Sequence, residues 1–92
     1  GLGVAPDGTL LVCEQRANRL LRVDAPGRVS VVAGSGVRAS TGDGGPAAAA
    51  ALHTPTDVVA AADGTLFVQE GTSSGRVRRI APNGRINTLR RR

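Results

Sequence analysis

The sequence predicts an all-β fold made of two copies of a four-stranded antiparallel unit. One stretch is written twice, since the residues from Asp7 and from Asp63 both read Asp-Gly-Thr-Leu before an apolar run. The copies lie 56 residues apart at Asp7 and Asp63 but 57 apart at Arg19 and Arg76, with the extra residue in a Gly-Ser loop. Turn residues separate short runs of branched residues in both copies. A repeat whose length changes only in a turn is a repeat of strands.

The first copy contains four predicted strands, at residues 2–5, 10–14, 19–24 and 29–33. Pro6-Asp7-Gly8 joins the first two, because Pro fixes φ, Asp bonds the local backbone and Gly accepts a positive φ. Polar residues 15–18 and then Ala25-Pro26-Gly27 provide the next two turns. Short strands joined in this way form an antiparallel meander.

The second copy repeats this order, with predicted strands at residues 58–61, 65–69, 76–81 and 86–89. Its third strand breaks the strict alternation of strands, because Val77 and Ile80 are three residues apart. A bulge, or arginine stems lying along an apolar face, would explain the break.

The predicted organisation is a first blade at 1–34, a Gly-rich inter-blade loop at 35–56, a second blade at 57–89 and a basic tail at 90–92. Within the loop, Pro46 precedes five residues, 47–51, that are all Ala. Ala is the best helix former and Pro suits the first helical position, so a short helix is predicted there. Low-complexity filler is the alternative, which the flanking Pro46 and Pro55 disfavour.

Length and composition set limits on the fold and its surroundings. Ninety-two residues allow one small domain, and Phe67 is the one aromatic residue, so the core must consist of small side chains. A lone Cys13 excludes an internal disulfide, and no stretch reaches the ~18 apolar residues of a membrane helix. No signal peptide is visible, but the chain does not begin with Met. We interpret it as a segment of a longer protein whose compartment stays open, extracytoplasmic included.

Both predicted sheets carry apolar residues on both faces. Leu10, Val12, Leu66 and Val68 share one face, and Leu11, Cys13 and Phe67 share the other. Such sheets need neighbours on each side, as the blades of a β-propeller do. Two blades cannot close a ring. The predicted partners are therefore neighbouring blades, supplied by the same protein or by self-association.

These residues resemble the NHL repeat in the form common in large bacterial multi-repeat proteins. The matching stretches are 6–12 for the second strand, 18–24 for the third and 31–36 for the blade end, with 42–47, 50–52 and 55–58 for the inter-blade loop. The chain departs from the pattern at Glu14 and Glu70, where the repeat usually has Asp, and it lacks the usual His of the third strand. The resemblance implies a propeller, commonly six-bladed, that serves mostly as a binding scaffold.

We therefore predict a non-catalytic scaffold for protein or ligand binding that uses no cofactor. The main alternative is part of a propeller lactonase-like hydrolase or a lyase with a channel metal, and Glu14 and Glu70 could then face that metal. Pairing of these carboxylates with nearby arginines is the simpler interpretation. An RNA-binding surface is the further alternative.

Arginines are the most suggestive candidate binding residues, because most recur at equivalent positions of the two copies. The set is Arg19, Arg22, Arg28, Arg76, Arg78, Arg79 and Arg85, of which Arg78 has no counterpart. An acidic protein or a carbohydrate would suit such a surface. Nucleic acid is disfavoured, since the sequence offers no aromatic platform on which bases could stack. Structural arginines that bridge neighbouring blades are the other interpretation.

Other motifs favour structural roles. The segment 34–39 fits a loose dinucleotide fingerprint, but no helix of a βαβ unit is predicted after it. Asp43 lacks the further oxygen ligands of a calcium loop, and His53 has no partner at metal-ligand spacing. Cys13 lies among Leu and Val, which predicts a buried, inert thiol.

Overall fold

The computed structural model describes residues 1–71 and 75–89, which form two four-stranded antiparallel sheets. Sheet A contains β1 (Leu2–Val4), β2 (Leu10–Glu14), β3 (Arg19–Asp24) and β4 (Arg28–Ala33). Sheet B contains β5 (Pro55–Ala60), β6 (Leu66–Glu70), β7 (Arg76–Ile80) and β8 (Ile86–Thr88). The strands of each sheet lie in chain order, so each sheet is a meander. The all-β class and the two repeated sheets are confirmed. The predicted loop at 71–75 and the basic tail at 90–92 lie wholly or partly outside the described residues.

The predicted turns form through the residues that the sequence indicated. The Asp7 carboxylate accepts hydrogen bonds from the backbone N–H of Thr9 at 3.0 Å and from its hydroxyl at 2.7 Å. Asp63 accepts the equivalent backbone bond from Thr65 at 2.9 Å. These backbone N–H donors hold the pKa of both carboxyl groups below the ordinary value. The paired copies therefore begin their second strands with the same hydrogen-bonded turn.

The irregular alternation of β7 comes from a buried arginine and not from a bulge. β7 pairs with β6 and β8 in unbroken register, and Arg78 takes the inward position between Val68 and Thr88. The predicted bulge is thus wrong, and a buried arginine in the inward position accounts for the break. Irregular pairing occurs elsewhere, between Leu20 and Leu21 and near the start of β5.

The predicted short helix at 47–51 is not observed, since a 3-10 turn at Ala47–Ala49 takes its place. The backbone groups that an α-helix would use are bonded to the sheets instead. The Ala47 carbonyl accepts the N–H of Gly34 at 3.1 Å, and the Ala50 carbonyl accepts that of Ser35 at 2.8 Å. A single helical turn is costly to nucleate, so these tertiary bonds override the preference of Ala for helix. A second 3-10 turn, Gln15–Ala17, links β2 to β3.

The core lies between the two sheets, where the inner face of sheet A meets the inner face of sheet B. The buried members from the strands of sheet A are Leu11, Cys13, Leu20 and Ala33. Those from sheet B are Val58, Leu66, Val68, Ile80 and Ile86. Gly3 on β1 lets the sheets approach closely, because a Cβ there would lie 2.8 Å from the Val58 carbonyl oxygen. We call residues 34–54, between β4 and β5, the inter-sheet loop. The edge of this core is closed by three of its residues, Ala47, Ala50 and Leu52.

No helix in the described part of the chain is both long enough and apolar enough to cross a membrane.

Gly34 ends β4 in a conformation that only glycine adopts easily, with φ of +101°. A Cβ there would lie 2.4 Å from the Asn18 carbonyl oxygen. We expect Gly34→Ala to lower the free energy of unfolding by more than about 1 kcal/mol. Gly8→Ala is the matched control, because Gly8 also has positive φ, +88°, but a Cβ there meets open space. Urea unfolding followed by circular dichroism measures both. Equal losses in the two variants would contradict the close contact.

Candidate functional site

Sheet A exposes a continuous apolar face on the side away from sheet B. Two rows of residues that face one another on neighbouring strands build this surface. Each row takes one residue from each of the four strands. We call this surface the apolar face; its residues are Leu2, Val4, Leu10, Val12, Leu21, Val23, Val29 and Val31. Leu2 is 65% exposed and Val29 is 58% exposed. Contiguous exposed apolar patches of this kind mark interaction sites in soluble proteins.

The residues of sheet B at the equivalent repeat positions are buried. Leu10 corresponds to Leu66, and Val29 corresponds to Ile86. Both residues of sheet B pack against the inner face of sheet A, where Ile86 is completely buried. Sheet B therefore buries against sheet A the face that corresponds to the exposed apolar face of sheet A.

The side of sheet B that points away from sheet A is equivalent, in the repeat, to the inner face of sheet A. Phe67 corresponds to the buried Leu11, and Val77 corresponds to the buried Leu20. With Asp57, Val59 and Gln69, these residues line an open groove of about 180 Å³. We call this surface the outer face of sheet B. Each free face of the molecule is thus a copy of a face that is buried between the two sheets.

Arg78, one of the predicted binding residues, is completely buried and holds the inter-sheet loop. One terminal nitrogen, Nη1, donates to the Glu70 carboxylate at 3.2 Å, the Ser40 hydroxyl at 3.1 Å and the Ala51 carbonyl at 3.1 Å. The other, Nη2, donates to the Thr41 carbonyl at 2.9 Å and to Asp43 at 3.0 Å. Only the Nε–H lacks an acceptor. The guanidinium is therefore a structural connector, because no part of it reaches solvent.

The two carboxylates that face Arg78 have different surroundings. Glu70 is buried, and it also accepts the backbone N–H of His53 at 2.8 Å and the Ser40 hydroxyl at 2.7 Å. Asp43 is half-exposed and accepts the Thr88 hydroxyl at 3.0 Å. Partial burial raises the pKa of Asp43, but hydrogen bonds from Thr88 and the charge of Arg78 outweigh it and leave the pKa below its ordinary value.

Glu14, the counterpart of Glu70, forms an ion pair with Arg19 at 2.8 Å across the end of β2 and β3. Both side chains are 40% exposed, so the pair contributes little to stability. The predicted pairing of both repeated carboxylates with nearby arginines is confirmed. Glu70 and Arg76 occupy the facing position at the end of β6 and β7.

The remaining predicted arginines lie on separate parts of the surface. Arg22 lies on the inner side of sheet A, where it helps to line a cavity of about 220 Å³ with Asp7 and Asp63. Arg79 lies on the outer face of sheet B between Phe67 and Asn87. Arg85 donates to the Gly44 carbonyl at 2.7 Å, and Arg28 is exposed at the start of β4. The structure does not gather these arginines into one site.

The motifs for which the sequence favoured structural roles lie in surroundings that suit those roles. Cys13 is buried, and this burial raises the pKa of its thiol. The segment 34–39 leads into a loop where Arg38 bridges to Leu52, and no helix follows it. Within residues 1–71 and 75–89, no three His, Cys, Asp or Glu side chains lie close enough to hold a metal ion.

A polar cleft that the sequence did not indicate lies at the end of the sheets where β2 meets β3 and where β5 begins. Its volume is about 490 Å³, and its lining residues are Gln15, Arg16, Asn18, Arg38 and Thr54. Three separate segments supply them, which is why no local motif could reveal the cleft. The one local signal is Asn18, since Asn tolerates the left-handed backbone found there, φ +56°, better than most residues other than Gly.

A scan of protein-family models and a search of the curated proteins each return no match to this chain.

The buried network predicts a large effect for Arg78→Leu, which introduces the residue that sheet A has at the equivalent position, Leu21. The substitution removes the Arg78 guanidinium from the buried Glu70 carboxylate, so we expect a loss of about 3–5 kcal/mol in the free energy of unfolding. Urea unfolding measures it. Arg79→Leu is the matched control on the neighbouring residue, and it should change stability by less than about 1 kcal/mol. Similar losses in the two variants would show that the network contributes nothing specific.

Asp43 predicts a dependence of stability on pH. Its folded-state pKa lies below the unfolded value of 3.8, so its contribution is fully present above pH 3.8 and is lost as pH falls through the folded pKa. Asp43→Asn should therefore flatten the decline in the unfolding midpoint between about pH 5 and about pH 2. Thr88→Val keeps the carboxylate but removes a donor, and should move the decline toward higher pH. Superimposable profiles for Asp43→Asn and the parent chain would contradict this role.

Proposed function

We propose that this chain is a two-blade part of an NHL-type β-propeller that acts as a non-catalytic interaction scaffold. The observation that supports it is the repeat equivalence of the free and buried faces. The apolar face of sheet A corresponds to the inner face of sheet B, and the outer face of sheet B corresponds to the inner face of sheet A. A further sheet of the same kind can therefore pack on either side.

The packing between the two sheets is heterologous, because each contributes a different face. Interfaces of this type continue from unit to unit, and they end only when a ring closes. Blades of a propeller are related in this way, and so are the units of an open stack. The two sheets approach closely at Gly3, while loop residues such as Ala47 and Ala50 join the core between them, and a wedge-like arrangement of this kind would favour a ring.

The energetics favour occupied faces. Transfer of each exposed Val or Leu from water to a packed surface contributes about 1.5 kcal/mol or more. Leu2, Val4, Val29 and Val31 are all substantially exposed on the apolar face. Their combined burial approaches the net stability of an ordinary small domain, which is about 5–15 kcal/mol. The preferred neighbours are further blades, whether they belong to the same protein or to another copy of this chain.

The scaffold role assigns packing to the sheet faces and recognition to the ends of the strands. Exposed arginines such as Arg28 and Arg85 are carried at turns, where an acidic protein or a carbohydrate can reach them. The buried Arg78 is excluded from that role, since no part of its side chain is exposed to solvent.

Head-to-tail association tests the proposal. The isolated chain should self-associate in a concentration-dependent manner, measured by size-exclusion chromatography with light scattering. Val31→Lys on the apolar face should produce a monomer, and so should Phe67→Lys on the outer face of sheet B. Because the interface joins unlike faces, an equimolar mixture of the two variants should form a dimer and nothing larger.

Val37→Lys is the matched control, because Val37 is an exposed valine that lies in the inter-sheet loop and on neither face. This variant should associate like the parent chain. A parent chain that remains monomeric at all concentrations and melts cooperatively would overturn the proposal. Equal association by the three variants would overturn it as well.

A further inference from the structure

The polar cleft between the β2–β3 turn and the inter-sheet loop combines cationic donors with a rigid base. Arg16 on the turn and Arg38 on the loop supply the charge, and no carboxylate lines the cleft. Neither guanidinium forms a hydrogen bond or an ion pair with the residues that the structure describes. Two unpaired guanidinium groups at one depression leave an uncompensated positive charge.

Asn18 forms the base of the cleft and presents an unused donor there. Its side-chain oxygen accepts the backbone N–H of Thr54 at 2.9 Å, which assigns the oxygen and leaves the amide NH2 free to donate. The residue is 8% exposed, yet within the described chain this NH2 has no acceptor. The amide nitrogen is open to the cleft, so a ligand or solvent atom there can accept its hydrogen bond.

Backbone strain accompanies this arrangement. Thr54 has φ of +48°, a conformation rarely adopted by a β-branched residue. Asn18, at φ of +56°, fixes it through the hydrogen bond between them. Strained residues that surrounding contacts hold in place cluster at ligand sites, where they preorganise donors.

We infer that this cleft binds the oxyanion group of a small polar ligand. Arg16 and Arg38 would hold the anionic oxygens through charge-assisted hydrogen bonds, and the Asn18 amide would donate a third. Gln15 and the Thr54 hydroxyl supply polar contacts to the rest of the ligand. The volume of about 490 Å³ falls within the range of small-molecule sites, and the lining contains no aromatic side chain on which a base could stack. Phosphate and carboxylate share this chemistry, and the experiment distinguishes them.

The test is a titration of the chain with inorganic phosphate and, separately, with acetate, followed by NMR of backbone and arginine side-chain N–H groups. Sodium chloride holds the ionic strength constant. The expected result is saturable shifts at residues 15–18, 38 and 54 with at least one of the two anions, and the tighter of them identifies the group. Arg16→Ala and Arg38→Ala should each weaken binding by about tenfold or more, as expected for loss of a charge-assisted hydrogen bond.

Asn18→Asp is the sharpest variant. It keeps an oxygen that accepts the Thr54 N–H but replaces the free amide by a carboxylate oxygen, so binding should be lost while the unfolding midpoint stays near that of the parent. Should this variant unfold, the two arginine variants decide the outcome. Arg28→Ala is the charge-matched control, since Arg28 is exposed and lies outside the cleft.

Two results would overturn the inference. One is the absence of saturable shifts with both anions, and the other is an equal weakening by Arg28→Ala and Arg16→Ala, which would indicate general electrostatic attraction. None of the five lining residues lies on the apolar face or on the outer face of sheet B. The titration can therefore be repeated in the Val31→Lys background, and its outcome is independent of whether the sheets stack between copies.

Discussion

The packing of unlike faces is the constraint on which the rest of this structure depends. The two sheets share one sequence pattern and are stacked with equivalent faces pointing in the same direction. The inner face of sheet A therefore packs on a face of sheet B that is not its equivalent in the repeat. The proposed series of blades would require apolar residues on both faces of each sheet, and the chain provides them with Leu10 and Leu11 in one copy and Leu66 and Phe67 in the other. A sheet with one polar face could be stable alone, but it could not belong to such a series.

This constraint explains the small side chains of the core. Gly3 and Ala33 on sheet A and Ala47 and Ala50 on the loop bring backbones close together, and the close approach compensates for the small area that each side chain buries. Large residues at these positions would separate the sheets. The close approach of the two sheets therefore accounts for the lack of Trp, Tyr and Met in the sequence.

Arg78 shows how the two copies differ in spite of the repeat. At the equivalent position, on the same face of its sheet, sheet A has the apolar Leu21, whereas Arg78 binds Glu70 together with the loop residues Ser40, Thr41 and Asp43. A buried arginine gives little net stability compared with an apolar residue, since its desolvation offsets its interactions. Its consequence is conformational: four hydrogen bonds from one side chain fix the path of a loop that has almost no regular secondary structure of its own.

The strands and turns could be predicted from the sequence because their causes are local. Asp7 and Asp63 bond the residue two positions ahead, and alternation within β2 and β6 depends on neighbours in the same strand. The 3-10 turn at Ala47–Ala49 was missed because its backbone partners lie at Gly34, Ser35 and Gly84, far away in the chain. The burial of Arg78 has the same origin, since Asp43 is 35 residues distant. Its lack of a counterpart in the first copy separates Arg78 from the other arginines, but that difference alone does not indicate burial.

The position of the polar cleft agrees with the proposed division of roles, in which the sheet faces pack and the strand ends carry recognition. Because the sheet faces are committed to packing, the strand ends are where side chains can vary without disturbing the series. The inter-sheet loop, held by Arg78 at one side and by bonds from Gly34 and Ser35 at the other, brings Arg38 to the same end as Arg16. A loop fixed at several points positions its donors before any ligand arrives, so less conformational entropy is lost on binding. The rigidity that the stacked sheets require of their connections is thus the property that a binding site at their ends requires as well.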